Sequence, residues 1–399
     1  RLSTRKMYED GLPSVTSDTV CFPAKVVHGH VRQLSRMRVD RIFMPIITTV
    51  PTENRAETSV SMCAVVKGYP MVVKSSDDPA RTWNVPFDTP LFHWFSTADR
   101  DRQLCAYLRE TFGCKVYKLA LSAGCTCPNR DGTLDARGCI FCSGSGEFAA
   151  SAALPVSEQL AQAKRLVAAK AGPDARYIAY FQDYSNTYAP ADQLRPLFLA
   201  AIDRDEICAL SIATRPDCLP PEILALLAEL RERKPVWVEL GLQTIHASTA
   251  RYIRRGYPLS VFDNAVRQLK ALDIHVVAHM ILGLPGETQE MMVQTARYIG
   301  QSGADGIKLH LLHVLSGTDL AEDYAAGNFE TMTLDAYLSV LEDCLRVLPR
   351  ELVIHRMTGD GAKRSLIAPM WSADKKRVLN ALNRRFLSDD LEQGSALLL

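Results

Sequence analysis

CTCPNRDGTLDARGCIFCSGSGEF, residues 125–148, holds four of the chain's eleven cysteines. Eleven residues separate Cys127 from Cys139, and Cys142 follows as C-x-x-C. Pro128, Asn129, Asp131, Gly132 and Gly138 fill the gap, so the segment turns as a loop rather than a helix. A C-x-x-C pair grips one corner of a metal site, and the upstream thiol adds another. Three thiolates would leave one iron of a cubane without a protein ligand, which suits a cluster that must also bind a small molecule. A structural zinc site wants four ligands, and Cys125 is a candidate fourth. Buried free thiols are the third reading, and spacing alone leaves all three open.

The chain has 399 residues, enough for two or three domains with ample core. It is 47% hydrophobic and 23% charged, as ordinary globular proteins are. A net charge of +1 gives no general attraction to nucleic acid or acidic lipid, and the charge asymmetry between segments is too weak to name a partner. Eleven cysteines beside a C-x-x-C, with no apolar targeting segment in RLSTRKMYEDG, predict a reducing, cytoplasmic setting and not a disulfide scaffold. No apolar run reaches the roughly 18 residues of a membrane span. The chain opens with Arg1 rather than Met, as a fragment would.

Before residue 90 the pattern predicts a helix over 24–37, a short strand over 41–44, a polar stretch over 48–61 and a strand over 62–66 broken by Gly68-Tyr69-Pro70. His28 and His30 flank a glycine and read as surface or packing residues. The aperiodic 75–97 segment reads as a linker, and 98–112 as a helix. Strand and helix then alternate, which implies a parallel sheet. Strands are predicted over 116–121, 177–181, 208–213, 236–242, 275–282, 306–313 and 352–356, with a closing helix near the C-terminus. Six or seven β/α units make a partial or nearly complete α/β barrel of TIM type, with its chemistry on the loops after the strands.

The text from Lys115 to Cys142 strongly resembles the YhcC-like branch of radical S-adenosylmethionine (SAM) proteins, relatives of the Elongator catalytic subunit. The resemblance continues through YFQDYSNTYAP, SIATRPDCLP, VWVELGLQT, ILGLPGET, GIKLHLLH and IHRMTGDG, over about residues 91–391. It implies a partial (β/α)6-type TIM barrel over 91–330, an accessory region over 331–399 and a small N-terminal α/β segment over 1–90. It implies a 4Fe-4S cluster on Cys127, Cys139 and Cys142, with SAM on the open iron and Cys125 outside the set. Such a protein cleaves SAM reductively to a 5′-deoxyadenosyl radical and needs a reductant such as flavodoxin or ferredoxin.

Phe141 matches the family's aromatic position against the adenine. The wider superfamily's Gly-Gly-Glu stretch is replaced here by Gln182, Asp183 and Asn186. Glu239 and Gln243 suit the ribose and the charged end of SAM. Arg215 suits a carboxylate or pairs with Asp217, and Gly283, Gly286 and Glu287 fall where the family contacts adenine. His279, His310, His313, His355 and Arg356, near strand ends, form the expected substrate side, with Asp360 and Gly361 shaping its last wall. The substrate itself is not legible; relatives modify tRNA bases, so RNA is a candidate.

CFPAKVVHGHV, VDRIFMPII and CAVVKGYP resemble part of the large proteins related to 2-hydroxyacyl-CoA dehydratases and their activases. Cys21 and Cys63 are the thiols available there, too few for a cubane. Two further functions follow as alternatives: a metal- or cluster-binding module without radical chemistry, and an electron-transfer partner of an acyl-CoA dehydratase system.

Overall fold

The computed structural model describes residues 3–15, 22–37, 39–47, 64–89, 91–92, 104–144, 153–172, 175–359, 364–389 and 391–397. Cys21, Cys63, Asp360, Gly361 and the whole 48–61 stretch lie outside these. The chain divides into two compact units, Arg1–Ser96 and Thr97–Leu399.

The first unit packs helices Arg5–Gly11, Phe22–Arg36, Ala64–Ser76 and Pro79–Trp83 against two short parallel strand pairs. Ile42–Phe43 pairs with Phe87–Asp88, and Ile46–Ile47 with Leu91–Phe92. Two expectations are corrected here. Residues 64–66 begin a helix rather than ending a strand. Pro70 inside that helix costs about 3 kcal/mol, which the burial of Tyr69 and Val73, one turn apart, against Val31, Ile42 and Phe87 offsets. The expected linker is folded from residue 77 to 89. Asp78 caps a short helix that Pro79 opens and a left-handed Asn84 closes, and Phe87 enters the core. His28 is buried edge-on against the Tyr69 ring.

The second unit is built on one sheet of seven parallel strands: Val116–Leu121, Arg176–Phe181, Ile207–Thr214, Val236–Gln243, His275–Leu282, Gly306–Leu311 and Val353–Arg356. Each pairs with its neighbour in sequence, and helices connect them, as right-handed crossovers do. The first and seventh strands do not pair with each other, so the sheet curls into an open half-barrel. The helix Leu104–Phe112 touches both of these edge strands and closes one end.

Alternation along the strands separates two faces. Leu119, Leu121, Phe181, Leu210, Ile212, Val238, Leu240, Val276 and Met280 join the large apolar core that packs the surrounding helices. Lys118, Tyr180, Ser211, Glu239, His279 and Lys308 take the alternate positions and meet one another on the concave face. Beneath them Ile178, Ala209 and Trp237 pack against Leu108 and Tyr107 of the closing helix.

Candidate functional site

The loop after the first strand carries the cysteines. It is a pinned turn: Arg130 and Asp131 donate backbone N–H bonds to the Cys127 carbonyl, Leu134 to Pro128, and Gly138 to Asn129. Ile140 and Leu320 bond through their backbones, and Ile140 packs with Ile253, Ile281 and Leu312. An apolar anchor between Cys139 and Cys142 thus holds both thiols at the barrel mouth. Burial pushes the Cys139 thiol up to about 11, so binding a metal there must displace its proton.

Cys127, Cys139 and Cys142 line one cavity of about 280 Å³. Phe141, Gln182, Arg215, Glu239, Gln243 and His279 line it too. The structure therefore brings together six of the expected cofactor and substrate residues with the three expected cysteines. Cys125 instead packs against the main apolar core, and its thiol is also pushed up to about 11 by burial.

Glu239 forms the cavity floor and is 1% exposed. Lys118 Nζ donates to its Oε1 at 2.7 Å and Ser211 Oγ at 2.9 Å. Its Oε2 meets His279 Nε2 at 2.8 Å and accepts from Lys308 Nζ. Burial alone would raise this carboxyl, but Lys118 and Lys308 outweigh it and hold it well below its usual range. Two ammonium groups share one carboxylate, so one positive charge is in excess. Lys308 carries the consequence. Burial, with repulsion from Lys118 and Arg356, brings it down to about 7 against the pull of Glu239. Its Nζ also lies 3.0 Å from the Tyr180 hydroxyl. Glu239, expected to serve the ribose and the charged end of SAM, lines the cavity with both oxygens paired to these floor residues.

Arg215 grips Asp217 with two bonds of 2.9 and 2.7 Å and lies over the Tyr257 ring. Arg255 lies over the same ring, and its hydrogen bonds go to backbone carbonyls of Leu242, Thr244 and Tyr257. Gln243 holds a left-handed backbone (φ 67°) just past a register shift in the fourth strand. Such a conformation in a non-glycine residue costs of order 1–3 kcal/mol and persists where its surroundings enforce it.

Other expected residues lie elsewhere. Asn186 is fully buried and spends its side chain on the backbone of Ala123, Asp183 and Ala213. Glu287 accepts from Thr244, with its carboxyl raised by burial. Gly283 takes a positive φ with Met332 directly above it. His313 meets Ser372 at 3.1 Å, and Arg356 is exposed. His310 stacks 5.1 Å from the His279 ring, with Nε2 unpartnered among the described residues. His355 sits low in the barrel, edge-on to Trp237. The seventh strand is short and its end pairs only as far as Lys308, so its end is not at the mouth.

The fold and site together define a half-barrel of α/β type whose mouth carries a three-cysteine loop. The sequence family described as the Radical SAM superfamily matches residues 130–299, and the Radical_SAM C-terminal domain matches 304–387. The description "CoA enzyme activase uncharacterised domain" matches residues 1–125, running past the first unit into the first barrel strand. The uncharacterized protein YtqA of Bacillus subtilis (strain 168) is 43% identical over 305 residues, which cover 76% of this chain and 94% of that protein. Protein YhcC of Escherichia coli (strain K12) is 37% identical over 293 residues, 73% of this chain and 93% of that one. The archaeal Methanocaldococcus infernus Elp3 structure superposes with a TM-score of 0.54 at 16% identity, over 70% of this chain and 64% of that one. The chain belongs to the radical SAM superfamily, in the group that includes YtqA and YhcC.

Among the described residues, no three His, Cys, Asp or Glu side chains converge to hold a single metal ion. A cubane spreads its thiolates over separate irons, so three cysteines around one cavity fit a cluster. No described helix is long and apolar enough to cross a membrane.

Proposed function

We propose that the chain is an enzyme that holds a 4Fe-4S cluster on Cys127, Cys139 and Cys142 and binds SAM in the adjoining cavity. The observation that carries this reading is that these three thiols line the cavity while Cys125 packs into the core. Held there and reduced, such a cluster would supply one electron to the sulfonium of SAM, breaking a C–S bond to give methionine and a 5′-deoxyadenosyl radical able to abstract hydrogen from a substrate. The protein's part is position and exclusion of water. Phe141 offers a ring beside Cys142 for the adenine. Gln182 and Gln243 offer amides to the ribose and amino groups. Arg215, with one face on Tyr257, offers its charge to the carboxylate of SAM. The saturated floor of Glu239, Lys118 and Lys308 keeps the cavity's base dry and fixed.

His279, on the cavity wall beside His310, is the substrate-side candidate that the geometry favours. RNA is the substrate class to test first, because relatives 28% identical over 156 residues bear the name tRNA uridine(34) acetyltransferase. The reaction requires a one-electron donor of flavodoxin or ferredoxin type. A second reading, an electron-transfer role toward an acyl-CoA dehydratase system, is favoured by the activase-domain match over residues 1–125. Anaerobic reconstitution separates the two. About four irons per chain and 5′-deoxyadenosine formed on reduction support the first. A CoA-dependent effect that survives Cys127→Ala supports the second.

A further inference from the structure

Of the two side chains that directly follow Cys127-Pro128, one reaches the sulfur of Cys139 and the other the backbone of Cys142. Asn129 is 1% exposed, and its Nδ2 lies 3.3 Å from Cys139 Sγ while donating to the Arg254 carbonyl at 2.6 Å. Arg130 Nη2 donates to the Cys142 carbonyl, and Arg130 lines the same cavity as Cys127 and Cys142. The guanidinium lies against the backbone of Gly138. A Cβ there would stand 2.9 Å from Nε and 3.0 Å from Cζ, so a glycine before Cys139 is what makes room. Among the described residues no carboxylate pairs with Arg130.

A guanidinium partly withdrawn from water and without a carboxylate partner favours an anion beside it. Three thiolates bound to a cluster are such an anion, and its negative charge grows by one on reduction. Hydrogen bonds to cluster sulfurs and nearby charge are levers that set a cluster's potential. We propose that Asn129 and Arg130 are redox-tuning residues: the Asn129 amide beside Cys139 Sγ and the Arg130 charge, admitted by Gly138, raise the reduction potential of a cluster on Cys127, Cys139 and Cys142. This rests on the cluster assignment above. The step is one electron in from the external donor, with no bond made or broken.

The test uses the full chain, reconstituted anaerobically without SAM or substrate, in a redox titration followed by the electron paramagnetic resonance of the reduced cluster. Arg130→Met should lower the midpoint by about 59 mV, a tenfold shift in the one-electron equilibrium. Arg130→Lys, which keeps the charge but loses the fork, should fall between it and wild type. Gly138→Ala should shift the midpoint in the same direction by displacing the guanidinium, and carries the test if Arg130→Met fails to take up iron. Midpoints unchanged in Arg130→Met and Gly138→Ala, on clusters of normal iron content, overturn the proposal. A wild-type chain with no such cluster signal overturns the cluster assignment and this inference with it.

Discussion

The floor and the rim of the cavity handle charge in opposite ways. At the floor, Glu239 has four partners, and its two ammonium neighbours are held inside the protein. At the rim, three thiols and the Arg130 guanidinium face inward with no carboxylate from the described residues to balance the guanidinium. A saturated buried charge holds a fold together. An unsaturated one waits for a ligand. That contrast separates the residues that build this site from those that use it.

The largest expected effect breaks the rim. Cys127→Ala, Cys139→Ala and Cys142→Ala should each lose essentially all bound iron, whereas Cys125→Ala keeps it; iron and sulfide analysis after anaerobic reconstitution decides. Loss of iron from Cys125→Ala with retention in Cys127→Ala would reverse the assignment. Breaking the floor comes next. Glu239→Gln leaves buried ammonium groups without a counter-ion and should cost about 3–5 kcal/mol in denaturant unfolding. Adding Lys308→Met to that variant should recover part of the loss, because it removes the excess charge; a further loss would contradict the reading of the floor.

A smaller effect is read with pH. Burial, the leading cause, lowers His275 and His279 to about 4 and sets His310 and His355 well below their usual value. The unfolded chain takes up these protons below about pH 6.5, and the folded chain does not until much lower. Stability should therefore fall as pH drops from about 6.5 toward 4, and His355→Phe should make that fall shallower. An unchanged pH slope in that variant would place His355 outside the buried set. The smallest effect concerns the first unit. A chain truncated to start at Thr97 should still take up iron, since every residue of the cavity lies beyond the unit boundary. A soluble but iron-free truncation, beside an iron-loaded full chain, would tie the two units together.

The strands of the half-barrel were legible because their apolar runs are bounded by turns, and the cysteine loop because its spacing is chemical. The floor was half legible. Glu239 stands out in VWVELGLQ as a charge too costly to bury without a partner. Its partners are Lys118 in VYKLAL and Lys308 in GIKLHL, single charges in apolar strands at the same inward phase. The signal lies in matching phases across strands far apart in sequence, not in any one strand. Asn129 reads only as a turn residue and Arg130 carries no signal in the sequence, since which cysteine each approaches depends on how the loop folds back. In the first unit Gly68 and Pro70 looked like strand breakers, and long-range packing of Tyr69 and Val73 made the segment helical instead.

One measurement tests the central claim most directly: the Mössbauer spectrum of the full chain reconstituted anaerobically with iron-57, before and after adding SAM. The account predicts a cubane in which one iron, lacking a cysteine, changes its signal when SAM is added while the other three stay alike. A protein that takes up only zinc, or a cluster whose four irons all ignore SAM, would contradict it.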